Sequence, residues 1–191
     1  MHWNKNSFQE LVDRVIQSLK GRLSPVGVPF YIYVYNPKEE TKCIREFQSF
    51  AKWLRNQGFR IQVIYMGRIL ATILRDTPYF SPQGKNLEKQ YREKLRKEFS
   101  NKLPEKISHC LLEGIPGQFD PIRGEDISTG VFLLRTGALF PFVHVSEILA
   151  HLENQTHATV VVPFPGSREG AKLKFLNETE SRYYRAVILG G

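Results

Sequence analysis

The chain has 191 residues, 41% of them hydrophobic, with two cysteines and a formal net charge of +8. That is enough apolar material for the buried core of a single domain over residues 1–191. No apolar run approaches the roughly 20 residues that cross a membrane, and the polar start Met1-His2-Trp3-Asn4-Lys5-Asn6-Ser7 lacks the apolar core of a signal peptide, so a cytoplasmic protein is expected.

In chain order, Ser7 and Glu10 form a capping-box pattern, hydroxyl and carboxylate each satisfying a backbone N–H. Phe8, Leu11, Val12, Val15, Ile16 and Leu19 then recur at helical spacing and Gly21 ends the run, which predicts an amphipathic helix over 7–20. The aromatic and β-branched stretch 30–35 predicts the first core strand, closed by the turn signal Asn36-Pro37. Glu39 and Glu40 suit the start of a helix over 39–56. Its core stripe is Ile44, Phe47, Ala51 and Leu54, and Lys38, Lys42, Arg45, Ser49 and Lys52 mark the opposite side. Gly58 stops that helix, 59–65 alternates as a second strand, and 69–74 suggests a short helix. Two prolines and a glycine exclude a regular element over 76–84. Leu87, Tyr91, Leu95 and Phe99 give a narrow helical stripe over 85–101, and Pro104 begins or kinks a further helix to about 112. The loop 114–121 has a length at which function or a partner contact is expected.

In the last third, short apolar runs at 130–134 and 158–163 flank an amphipathic segment at about 142–153, the signature of a parallel β-α-β crossover. Gly137 would permit the tight turn after the first run, and Pro165-Gly166 a turn after the second. Strands 172–176 and 183–189 are expected as a pair that extends the sheet. The predicted fold is α/β, a three-layer α/β/α sandwich with a mainly parallel central sheet. Strands 30–35, 60–65, 130–134 and 158–163 form its core, the first and third flanking the switch point.

The charge is uneven. Residues 30–75 carry eight Lys/Arg against three Asp/Glu, residues 76–129 nine of each, and residues 130–191 six against five. A basic excess attracts polyanions or an acidic partner protein, although solvation of a helix surface explains most of one this size. Cys43 and Cys110 lack C-x-x-C spacing and read as free, buried or half-buried thiols.

Signatures of chemistry are missing. Arg135-Thr136-Gly137 has the location of a phosphate loop but not its length or lysine, and G-x-G-x-x-G, H-E-x-x-H and G-x-S-x-G are absent. The five histidines show no zinc spacing, and acids end no predicted core strand, as a two-metal nuclease would need. No enzyme, metal or cofactor is expected. Ligands of such sheets bind beyond the carboxyl ends of the strands, where this chain offers Asn36, Arg135, Thr136, Ser167 and Arg168. Arg135 and Arg168 suit a partner carboxylate or a phosphate, or pair within the domain. Lys38, Lys42 and Arg45 form the basic face beside them, without the aromatic platform that single-stranded nucleic acid needs.

Four segments together resemble a known family: Pro29 to Tyr35 with Pro37 and Glu40, Gly137 to Phe142 with Ile148-Leu149, Val161 to Gly166, and Tyr183-Tyr184-Arg185-Ala186. Their order and spacing are similar to BrxB, the small non-enzymatic component of bacterial BREX phage-exclusion systems, over most of the chain outside 76–129. The chain departs from the family pattern at Asn36, where an acid is usual, and at His144 and Ser146 in place of Arg and His. The resemblance implies a cytoplasmic antiviral adaptor that binds a PglZ-like partner of the same system. The alternative is a small nucleotide- or nucleic-acid-binding α/β domain.

Overall fold

Five parallel strands set the frame: Phe30–Tyr35 (β1), Arg60–Tyr65 (β2), Thr129–Leu134 (β3), Thr159–Glu169 (β4) and Val187–Gly190 (β7). They lie in the order β2-β3-β4-β1-β7, every neighbouring pair parallel. Lys172–Phe175 (β5) and Thr179–Glu180 (β6) add an antiparallel branch to the far end of β4. The computed structural model describes residues 5–22, 25–75, 101–123, 127–140, 142–170, 172–176, 179–180 and 184–191. The irregular stretch expected at 76–84 and nearly all of the helix expected at 85–101 lie outside them.

Side chains alternate across β1, and both sets are buried. Tyr31, Tyr33 and Tyr35 face Lys5–Leu19 (α1) and Glu40–Asn56 (α2), where Leu11, Val15, Phe47, Ala51 and Leu54 complete one core. Phe30, Ile32 and Val34 face Met66–Arg75 (α3), the helix at 101–113 (α4) and Val145–Leu152 (α5), where Ile69, Ile107, Leu111 and Ile148 complete the other. Helices on both faces make three layers and explain why the strands read as continuous apolar runs. Phe47 meets Phe8, Tyr33 and Phe132 at ring-centroid distances of 5.3, 5.9 and 5.8 Å. Edge-to-face pairs of this kind are worth about 0.5–1.5 kcal/mol each beyond the area they bury. Between α1 and β4, Ser18 Oγ and Thr159 Oγ1 share a 2.8 Å hydrogen bond, which leaves neither buried hydroxyl unsatisfied.

The four predicted core strands are all present and parallel. Several local expectations differ. Ser7 lies inside α1 and bonds the Tyr33 hydroxyl, while Glu10 pairs with Arg14 at 2.8 Å, so the capping box is not used. Cys43 and Phe50 join the α2 core, with Ile44 half-buried at its margin. Of the two roles expected for Pro104, beginning or kinking a helix, the first is excluded, since 101–103 are already helical. The crossover helix begins at Val145, because Thr136–Leu139 forms a 3-10 turn first.

The largest difference is in β4, which passes straight through Pro163-Phe164-Pro165-Gly166. A proline is tolerated in a strand only where no ladder partner needs its N–H. The Val160 amide donates to the Pro29 carbonyl beside β1, so the odd-numbered residues of β4, both prolines included, face the opposite side. There the β3 pairing stops at Phe132↔Val161, and β3 soon leaves for its turn. Gly166 is needed for a different reason. A Cβ there would lie 2.0 Å from the Lys174 carbonyl oxygen of β5. Finally, β5 and the last strand are not a pair: β5 pairs with β4 and β6, and β7 pairs with β1. From β1 the chain crosses to the far edge at β2 and then steps back through β3 and β4 to β7 beyond β1. The crossovers therefore reverse direction at β2, and β1 and β3, separated by β4, do not flank a switch point as expected.

Candidate functional site

The carboxyl ends of β1, β4 and β3 form one rim of the sheet. At β1, the Asn36 side chain accepts from the Lys38 amide at 3.0 Å and so starts the turn Pro37–Glu39. At β3, Arg135 adopts a left-handed backbone, φ 57° and ψ 45°, a conformation that costs a side-chain-bearing residue about 1–2 kcal/mol. The strain falls at Arg135, not at Gly137, the glycine beside it. Arg135 is exposed, and its charge reaches the Tyr35 hydroxyl. No hydrogen bond or ion pair among the described residues engages its guanidinium. Thr136 is buried and donates to the Pro163 carbonyl at 2.7 Å, which ties β3's turn to β4.

The remaining predicted residues do not converge on this rim. Ser167 lies on the overhang of β4 opposite Lys174. Arg168 donates to the carbonyls of Gly170 (2.8 Å) and Ile188 (3.1 Å), holding the hairpin to β7. Lys42 approaches Glu39 at 3.9 Å, and Arg45 is exposed on the outer face of α2. Burial pushes the Tyr33 hydroxyl up to about 12, with the Ser7 hydrogen bond working against it. Tyr35 and Cys43 are driven further up, again chiefly by burial, so the Cys43 thiol stays protonated and is no nucleophile. Among the described residues no three His, Cys, Asp or Glu side chains gather as metal ligands.

A second surface lies at the opposite edge of the sheet, where β2 pairs only with β3. In a parallel ladder, a residue facing its neighbour bonds the two residues that flank its partner. Val160 faces β1, so Val161 faces β3; through the registers Val161↔Phe132 and Phe132↔Val63, Gln62 and Ile64 bond β3. Ile61 and Val63 therefore turn their backbone groups outward. The Ile61 carbonyl accordingly accepts from Arg55 Nε of α2 at 2.9 Å. On the other face, the Gln62 amide receives the Asp120 N–H (2.8 Å) and donates to the Asp120 carbonyl (3.1 Å), a substitute strand pairing that anchors the loop 114–121. The loop closes on itself through reciprocal Ile115–Phe119 backbone bonds. Between Arg55, the β2 edge and this loop runs an open groove of about 620 Å³. Sequence reasoning flagged the loop but missed Arg55, Gln62 and Val63. The available signal was polarity: β2 carries Arg60 and Gln62, as exposed edge strands do.

Parallel strands with helices on both faces, the crossovers reversing direction at β2, define a doubly wound α/β protein. The sequence model of the family described as BREX protein BrxB matches residues 63–189, and the chain belongs to that family. Membership places it among the components of BREX phage-defence systems. The matched span runs from within β2 to within β7; β1 lies outside it in sequence but between β4 and β7 in the sheet. No curated protein and no solved structure matches the chain. No helix among the described residues is long and apolar enough to cross a membrane.

Proposed function

We propose that this chain is a non-catalytic adaptor of a bacterial BREX system, acting in the cytoplasm by holding a PglZ-like protein of the same system. Family membership carries the reading. The site chemistry supports it: Thr136 and Arg168 serve the fold, Cys43 is buried and protonated, and the groups left exposed are suited to recognition. A tagged chain, co-expressed with a PglZ-like protein of its own system, should retain that protein through affinity and size-exclusion steps. A chain that elutes alone from every component of its own system overturns the proposal.

The exposed Arg135 favours one competing reading, the binding of a nucleotide or nucleic-acid phosphate. Thermal shift against nucleotides and DNA retention across a salt series separate the two. A ligand present at about 100-fold over its Kd stabilises by about 2.7 kcal/mol. A shift of that size, with no protein partner, would favour the phosphate reading.

A further inference from the structure

We infer that the open edge of β2 is where this chain takes up its partner, by adding one extended segment of the partner as a further strand of the sheet. The inference rests on the adaptor reading and names its surface. Four observations carry it.

First, β2 ends the sheet with backbone groups that lack partners. The Val63 N–H and carbonyl and the Ile61 N–H point outward, and among the described residues none of them is hydrogen-bonded. Second, no proline or bulge interrupts the edge. Natural edges carry proline, a bulge or a covering loop. Here the sequence Arg-Ile-Gln-Val-Ile-Tyr has no proline and pairs with β3 without a break in register, and the adjacent loop is held by the Gln62 side chain, not by the outward backbone of Ile61 and Val63. Third, the edge is set in a groove with a wall on each side of the sheet, Arg55 of α2 on one and the Gln62-anchored loop on the other. A single extended chain fits between two such walls. The β2 edge of a second copy would bring its own helix and loop against them. Fourth, the walls differ in chemistry. Among the described residues Arg55 uses only Nε, on Ile61, which leaves its terminal nitrogens for a carboxylate, while Ile115 and Phe119 are half-buried and apolar.

Alternate residues of an added strand point to opposite faces. The segment that fits therefore carries an acidic residue facing Arg55 and, one position along, an apolar residue facing the Ile115–Phe119 turn. Main-chain bonds supply the affinity and these two contacts the selectivity, as in other strand-addition complexes.

The test uses the full chain and the co-expressed PglZ-like protein. Val63→Pro removes the outward N–H without touching the bonds that Gln62 and Ile64 make to β3, and an edge strand tolerates proline. Capture should weaken by roughly tenfold or more, with the melting temperature within a few degrees. Arg55→Glu should weaken it through the acidic contact. Hydrogen exchange on the unmodified pair is the second measurement. The Ile61 and Val63 amides should exchange freely in the isolated chain and become protected in the complex, and this holds even if the proline variant does not fold. If the wild-type chain captures its partner but Val63→Pro captures it equally, or those amides stay unprotected, the edge is not the interface and the adaptor reading stands. If the wild-type chain captures nothing, the adaptor reading itself falls. A wild-type mass that doubles with concentration and is halved by Val63→Pro would make the occupant a second copy and overturn the inference.

Discussion

The rim at the strand ends and the edge of β2 offer opposite kinds of surface. The rim offers polar side chains, and the fold consumes two of them: Asn36 caps a turn and Thr136 ties β3 to β4, while off the rim Arg168 pins the hairpin to β7. The β2 edge shows ordinary side chains, yet its backbone is left open beside a groove. A surface polar group is informative only once its partners are known, and an unpaired backbone can matter more than any charged residue near it.

The largest effect that separates the two surfaces is expected at Gly166. Gly166→Ala places a Cβ against the Lys174 carbonyl, forces β4 and β5 apart and should cost about 1–3 kcal/mol in urea unfolding. Hydrogen exchange should loosen at β5 and the Arg168 contacts while the β2 edge stays as it was. If loosening spreads equally to β2, the two surfaces are not independent.

A smaller effect sharpens the reading of Arg135. Arg135→Gly relieves the left-handed strain but frees the unfolded chain, so stability should rise by up to about 1 kcal/mol. A loss of stability instead would show that the Arg135 side chain contributes to the fold.

The smallest effect near neutrality, and one that grows with alkalinity, concerns the core beneath the rim. Unfolded tyrosine ionises near its ordinary 10.0, whereas Tyr33 holds its proton to about 12, and Tyr35 and Cys43 are raised as well. Above the ordinary values the unfolded state binds fewer protons than the folded one, so stability must fall with rising pH. It is intact below the ordinary Cys value of 9.0, and the Tyr33 share is lost between 10.0 and about 12. Urea midpoints at about pH 8 and about pH 11 should differ in that direction. Equal midpoints would mean that these groups are wetter than their packing indicates.

The parallel sheet was legible from sequence because β1, β3 and β4 are buried on both faces, which forces continuous apolar runs, and because Gly21 and Gly58, both with positive φ, end helices where the sequence placed them. The family pattern was legible for a related reason. Two of its segments are the buried strand β1 and the middle of β4, where apolar and β-branched residues are required. Only the tertiary structure could decide the rest. Pro165-Gly166 read as a turn, yet β4 passes through it because β3 has already turned away on the side that Pro163 and Pro165 face. Gln62 looked like any strand residue until the fold brought Asp120, 58 positions along the chain, to its side chain. Which strand ends the sheet depends on the order β2-β3-β4-β1-β7, set by long-range packing. An open edge is a property of neighbours, and neighbours are what a linear sequence does not state.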